Sequence, residues 1–294
     1  MKRIDNLYEE CIKLDNIKLC YNNLIKNIKN KRKVEDLRNY KSAYIYKAYE
    51  VLLNKNYIPK EYNIFYIYEP KKRLIMAQGT FDKLINHIVY NFILLPSLEK
   101  CLIDTNCASR KGYGTRYAID KYFKYRNICD YKYKNYYILK CDIRKFFQSI
   151  DHNILKVKLR KRIKDKDALN ILDIIIDSTN EGLPIGNVSS QILAIYYLND
   201  LDHYIKEDLK IKYYIRYMDD FILIHNDYNY LKTCLNKIKE FLKNEKLELN
   251  DKTRIYKNNE NMNFIGRKRN KKYSNICKVR KKIKKENKNI LIMK

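Results

Sequence analysis

The amino-acid sequence predicts an α+β fold, a sheet with helices on one face, from three observations. Tyr136-Tyr137-Ile138-Leu139-Lys140-Cys141-Asp142-Ile143 reads as a buried strand that ends in an acid. Two apolar runs, Ile211-Lys212-Tyr213-Tyr214-Ile215 and Phe221-Ile222-Leu223-Ile224, flank Tyr217-Met218-Asp219-Asp220 in the pattern of a hairpin. Leu231, Cys234, Leu235, Ile238 and Leu242 then follow at helical spacing.

The remaining elements follow in chain order. From the start to about residue 55, Lys, Asn and Glu alternate with Leu, Ile and Tyr at helical spacing, with no Gly or Pro before Pro59, which predicts a helical segment. Tyr62 to Tyr68, a turn at Glu69-Pro70-Lys71-Lys72, and Arg73 to Ala77 read as a second hairpin with cations at its tip. Phe81, Leu84, Ile85, Ile88, Val89 and Phe92 predict an amphipathic helix that stops near Pro96. Ser109-Arg110-Lys111-Gly112-Tyr113-Gly114-Thr115-Arg116 is a basic, Gly-containing loop whose backbone N–H groups can approach phosphate. Arg144 to His152 leads into a helix, and residues 181–191 turn into another, with Asn187 or Ser189 as its N-cap.

Composition narrows the partner. The chain has 294 residues with 62 Lys and Arg against 34 Asp and Glu, a formal charge of +28, which points to a polyanionic partner such as an anionic membrane or, favoured here, nucleic acid. Gly is 6, Pro 4 and Trp 0, a pattern of drift in an AT-rich genome, so the surviving glycines mark backbone that needs positive φ or close approach. The 8 cysteines have no Cys-x-x-Cys pair and read as reduced hydrophobes of a cytoplasmic protein. Neither a signal peptide nor a membrane span is expected.

The acids carry the chemistry. Two adjacent carboxylates at a hairpin tip repel each other and gain nothing from packing, so their simplest use is to hold divalent cations. An acid at the end of an apolar strand, as at Asp142, is costly unless paired or metal-bound.

At these residues the chain resembles the reverse transcriptases, most closely those of diversity-generating retroelements. Asp142 to Phe147 resembles their first catalytic motif, and Tyr217-Met218-Asp219-Asp220 their Tyr-x-Asp-Asp box. Leu183-Pro184-Ile185-Gly186-Asn187-Val188-Ser189-Ser190-Gln191 matches Ile-Gly-Asn-x-x-Ser-Gln of that subfamily, where relatives usually carry Gln-Gly-x-x-x-Ser-Pro.

The resemblance implies a right-hand polymerase. Residues 1–60 would be an N-terminal helical fingers segment, 61–135 the fingers, 136–266 an RRM-like palm, and 267–294 a short, basic, helical thumb. It implies Asp142, Asp219, Asp220 and Lys252 as catalytic, Lys252 protonating pyrophosphate. Asp142, Ile143, Asp219 and Asp220 would hold two Mg²⁺, or Mn²⁺ in their place. Lys72, Arg73, Arg110, Phe147, Ile185, Gly186 and Gln191 would bind the dNTP, with Phe147 rejecting a ribose 2′-hydroxyl. Phe264, Ile265 and Gly266 resemble the primer grip. Expected partners are template RNA, the cDNA or primer, dNTPs and a basic pentameric accessory protein, with no membrane, in a prokaryotic or phage-encoded cytoplasmic setting. The product would be adenine-mutagenised cDNA. Two alternatives stay open: an antiphage-defence reverse transcriptase, and a non-catalytic RNA-binding protein of the same fold. Lys83 stands where many relatives have Arg after Asp.

Overall fold

The computed structural model describes residues 3–68 and 72–268. The cationic tail expected to form a thumb, beyond its first two residues, Arg267 and Lys268, and the tip of the first hairpin, Glu69 to Lys71, lie outside the described residues.

Four helices, α1 (Tyr8–Ile12), α2 (Leu14–Lys26), α3 (Lys31–Asn39) and α4 (Lys41–Leu53), open the chain. α1, α2 and α4 share one buried apolar cluster that includes Cys11, Ile17, Tyr21, Ala48 and Leu52, and the Tyr21 hydroxyl donates to the Leu37 carbonyl of α3. The first hairpin pairs β1 (Asn63–Ile67) with β2 (Arg73–Ala77), Asn63 opposite Ala77 and Ile67 opposite Arg73. Next comes α5 (Thr80–Val89). This helix does not stop at Pro96: a π-helical turn, Tyr90–Leu94, carries it into α6 (Leu95–Leu98). Pro96 sits at the N-terminal end of α6, where its missing N–H costs little.

After α7 (Thr115–Lys132) comes the central sheet. It contains β3 (Tyr137–Asp142), β4 (Tyr213–Tyr217), β5 (Asp220–His225) and β6 (Arg254–Lys257) in the order β4-β5-β3-β6, all antiparallel. Between β3 and β4 run α8 (Phe146–Ser149), α9 (His152–Arg160), α10 (Lys166–Ile176), α11 (Val188–Tyr197) and α12 (Asn199–His203). α13 (Tyr228–Asn244) follows β5, and a small hairpin of β7 (Asn263–Phe264) and β8 (Arg267–Lys268) follows β6.

The sheet is covered on both faces, not one. Leu139, Cys141, Phe221 and Leu223 pack with Leu231, Cys234 and Ile238 of α13, while Ile138, Ile222 and Ile224 pack with Ala118, Tyr122 and Cys129 of α7. The strands dictate this, because successive residues of β5 are apolar on both faces and each face needs a cover. Among the described residues no helix is long and apolar enough to cross a membrane.

Candidate active site

Strand register brings the acids together. Asp142 at the end of β3 lies directly opposite Asp220 at the start of β5, and the Ile143 N–H donates to the Asp219 carbonyl at 3.3 Å. Cross-strand partners share a face, so the side chains of Asp142 and Asp220 project to the same side of the sheet. Met218 and Asp219 make the two-residue turn between β4 and β5, with Met218 at φ +56°.

That strained turn is held from below. Arg216 and Asp202 are both wholly buried and form an ion pair, Nη2 to Oδ2 at 2.6 Å. Arg216 Nε also donates to Asp202 Oδ1 at 2.7 Å, and the Tyr214 hydroxyl donates to the same oxygen at 2.6 Å. Of the remaining guanidinium donors, Nη2 reaches the Ile195 carbonyl at 2.9 Å and Nη1 the Met218 carbonyl at 3.1 Å. A buried charge is tolerable only when paired and bonded in this way. Sequence reasoning missed both residues, although a lone arginine among buried apolar positions of β4 was the signal.

Burial pushes the Asp220 carboxyl up to about 6, against the pull of Lys140 and with a further push from Asp142 and Asp219. Lys140 Nζ lies 3.2 Å from Asp220 Oδ2, while Oδ1 is buried with no hydrogen-bond partner. Among the described residues no three His, Cys, Asp or Glu side chains form a ready-made metal cage. The donor set fits a hard divalent cation all the same: carboxylate oxygens from two adjacent strands, one of them orphaned in a buried position.

The segment after α13 is stitched to the same strand end. Asn250 N–H donates to the Asp142 carbonyl at 2.7 Å, Arg144 N–H to the Glu248 carbonyl at 2.9 Å, and Ile143 bridges Leu249. Lys252 is exposed on the turn that follows, its backbone N–H bonded to Asn250 Oδ1.

Phe147 sits on α8, edge-on to Phe146, and its carbonyl accepts from Leu183 N–H at 2.7 Å. Gly182, at φ +61°, allows that approach, since a Cβ there would fall 2.4 Å from the Phe147 carbonyl oxygen. Ile185 and Gly186 meet the first hairpin: the Met76 N–H donates to the Ile185 carbonyl at 3.3 Å. Gln191 is exposed and accepts from Ser109 Oγ at 2.8 Å, which joins the basic loop to α11.

Geometry sets the surroundings of five further expected residues. Arg110 points inward, its guanidinium donating to the carbonyls of Ile103 and Asn106 and lying 4.0 Å from the Tyr113 ring, so it braces a loop. Lys72 and Arg73 part company. The Lys72 ammonium stands 4.5 Å over the Tyr66 ring, whereas Arg73 pairs with Ile67 and therefore lies on the other face of the ribbon. Phe264 is fully buried against Tyr122, and the turn that follows has both residues at positive φ, Ile265 half-buried and Gly266 exposed. Asn187 precedes α11 without capping it; its amide donates to the Tyr62 hydroxyl at 3.2 Å.

Comparison with known proteins places this geometry. A family model described as reverse transcriptase (RNA-dependent DNA polymerase) matches residues 58–268. The COX1/OXI3 intron 2 protein of Saccharomyces cerevisiae is 28% identical over 203 residues, 46% of this chain and 24% of that protein. The chain thus spans about a quarter of the length of this curated relative, which is an intron protein and not one of a diversity-generating retroelement. Among solved structures, apo telomerase from Candida tropicalis, truncated from its C-terminal domain, superposes with TM-score 0.52 at 17% identity over 71% of this chain and 53% of that one. Telomerase from Candida albicans in complex with a TWJ fragment of telomeric RNA superposes with TM-score 0.53 at 14% identity, over 72% and 44% of the two chains. At such identities the likeness speaks for the fold alone, which is mixed α/β and consistent with a right-hand polymerase. Since the family model takes in most of its length, the chain belongs to the reverse transcriptase (RNA-dependent DNA polymerase) family.

Proposed function

We propose that this chain copies RNA into DNA by nucleotidyl transfer at the acids of β3 and β5. The observation that carries the reading is the register of Asp142 against Asp220, with Asp219 bonded through its backbone to Ile143. Asp142, Asp219, Asp220 and the Ile143 carbonyl would hold two Mg²⁺, whose charge would assist deprotonation of a primer 3′-hydroxyl and offset that of the leaving pyrophosphate.

The protein's own share is placement and charge. Arg73, exposed on the ribbon face that carries Ile75, would reach the triphosphate, and Lys72 would contribute from the opposite face of the ribbon. Lys252 would give a proton to the leaving pyrophosphate. Phe147, Ile185 and Gly186 would shape the nucleotide pocket, Phe147 against a 2′-hydroxyl, and the Ile265-Gly266 turn would support the primer end. In this reading residues 1–135 serve as fingers, 136–266 as palm, and template RNA lies on the cationic surface.

Asp219→Asn is expected to abolish primer extension on an RNA template while RNA binding and the circular dichroism spectrum stay as in the parent. Extension retained by that variant in Mg²⁺ refutes the assignment.

On the biological setting, Ile185-Gly186-Asn187-Val188-Ser189-Ser190-Gln191 favours a diversity-generating retroelement, with adenine-directed misincorporation and a basic accessory protein as its corollaries. The similarity to a yeast intron protein favours an intron-type enzyme. A paired template repeat and variable repeat in the neighbouring DNA, differing at adenines, selects the first; a flanking intron selects the second.

A further inference from the structure

Lys140 stands two residues before Asp142 on β3, so the two side chains leave the strand on the same face. Its neighbours Leu139 and Cys141 are fully buried, and the lysine side chain itself is only 22% exposed. A lysine so confined gives up rotamer freedom and hydration, and needs partners that offset both. It has two. The ammonium lies 3.2 Å from Asp220 Oδ2 and donates to the Asn263 carbonyl at 2.8 Å.

These partners belong to different parts of the site. Asp220 opens β5 at the acid pair, and Asn263 is the residue of β7 just before Phe264 and the Ile265-Gly266 turn. A lysine that merely filled space beside an acid would not also bridge to a carbonyl 123 residues away. The arrangement is also one-sided, since the ammonium takes Oδ2 and leaves Oδ1 buried without a partner.

We propose that Lys140 is a positioning residue: it cross-braces the Asp220 carboxylate to the Asn263 carbonyl, fixing the acid relative to the 263–266 turn while its charge restrains the pull of the acids on a divalent cation. This rests on the reading of Asp142, Asp219 and Asp220 as metal-holding acids. The two functions oppose each other in a measurable way. Removing the charge strengthens cation binding, whereas removing the brace slows extension by misplacing the primer end relative to the acids.

The test uses the full chain with Lys140→Met, Lys140→Gln and Lys140→Arg, each checked by circular dichroism. Mn²⁺ serves as the probe, its binding to the nucleic-acid-free protein followed by electron paramagnetic resonance, and kcat and KM for dNTP are measured at saturating Mg²⁺. Lys140→Met is expected to bind Mn²⁺ about fivefold more tightly, as loss of a nearby like charge requires. Its kcat is expected to fall about tenfold with KM for dNTP within about threefold of the parent, the split of a placement defect. Lys140→Gln keeps a donor for Asn263 without charge and is expected to share the tighter Mn²⁺ binding but lose less kcat; Lys140→Arg restores both. Should Met and Gln leave both quantities within about twofold of the parent, or weaken Mn²⁺ binding, the proposal is overturned. A parent chain that binds no Mn²⁺ overturns instead the reading of the acids beneath it.

Discussion

Replacing Asp202 by Asn keeps the shape of a wholly buried side chain and removes only its charge and one acceptor oxygen. In the native network Oδ1 accepts from Tyr214 and from Arg216 Nε, and Oδ2 accepts from Arg216 Nη2 and, at 3.4 Å, from Asn106. An amide presents N–H donors where one of those oxygens stood, so in either orientation two native donors face a donor. The guanidinium meanwhile stays in the core without its counter-charge. Breaking a buried pair by removing one partner costs about 3–5 kcal/mol, a large share of the roughly 5–15 kcal/mol that holds a domain folded. Urea unfolding of both proteins should show that loss as a lower midpoint at unchanged slope. Primer extension measured well below both midpoints should also fall, because Arg216 Nη1 bonds the Met218 carbonyl of the strained turn. A loss below about 1 kcal/mol would refute the claim that this pair carries the turn. The double replacement Asp202→Leu with Arg216→Met separates stability from placement. With both charges gone, most of the stability returns, but the Met218 carbonyl has no donor and extension stays depressed.

Two further predictions concern the frame of the site. Asp165 accepts four backbone N–H groups, from Leu7, Tyr8, Asp167 and Ala168, and so caps α10 while fastening the start of the chain to it. Burial alone would raise its pKa, and these donors outweigh burial and hold the carboxyl below the usual range. A depressed acid contributes stability that is complete above its unfolded pKa and is lost as pH falls through the folded value. Asp165→Ala should therefore cost about 2–3 kcal/mol at neutral pH and speed proteolysis near residues 3–12, with the gap closing in acid; an undiminished gap at acid pH would contradict this. Gly182→Ala should cost at least about 2 kcal/mol, since its Cβ meets the backbone of Phe147 and Gln148, while Gly112→Ala, at φ +84° in open space, should cost about 1 kcal/mol; equal melting temperatures for the two variants would contradict the packing argument.

What could be read in advance was whatever depends on local pattern. The strands at 137–142, 213–217 and 220–225 announced themselves because buried β residues form short apolar runs bounded by polar turns, and acids at two of their ends were conspicuous for their cost. Side-chain direction was harder. Arg110 looked like a free cation beside two glycines, yet two carbonyls and an aromatic ring 4.0 Å away draw it inward. Nothing in the periodicity of Thr115–Lys132, rich in Tyr and Lys, announced that it would roof the second face of the sheet. Nor did Pro96 end its helix, because a π turn just before it supplied a place where a missing N–H does no harm. Lys140 was legible in principle, two positions from Asp142 in a strand of period two, but its partner Asn263 is 123 residues distant and only the fold reveals it.

The backbone strain of this chain is concentrated where the reasoning from composition did not look. Of the six glycines, five adopt positive φ, but so do eight other described residues, Lys145, Met218 and Ile265 among them. A left-handed conformation costs an L-residue roughly 1–2 kcal/mol, and a β-branched one such as Ile265 more, so each instance needs support from its surroundings. Lys145 follows Asp142 by three residues, Met218 precedes Asp219, and Ile265 follows the Asn263 carbonyl that Lys140 grips. Support is visible at each. Lys145 offers its carbonyl to the N–H groups of Gln148 and Ser149, Met218 is held by Arg216, and Ile265 is half-buried against the cluster around Tyr122 and Phe264. A chain that rarely uses glycine thus sets a non-glycine residue at positive φ in each of three tight turns around one acid pair, only the third of which also has a glycine, Gly266, and spends buried hydrogen bonds and a buried ion pair to keep them. That expenditure is intelligible if the turns must hold their shape against the mutual repulsion of Asp142, Asp219 and Asp220.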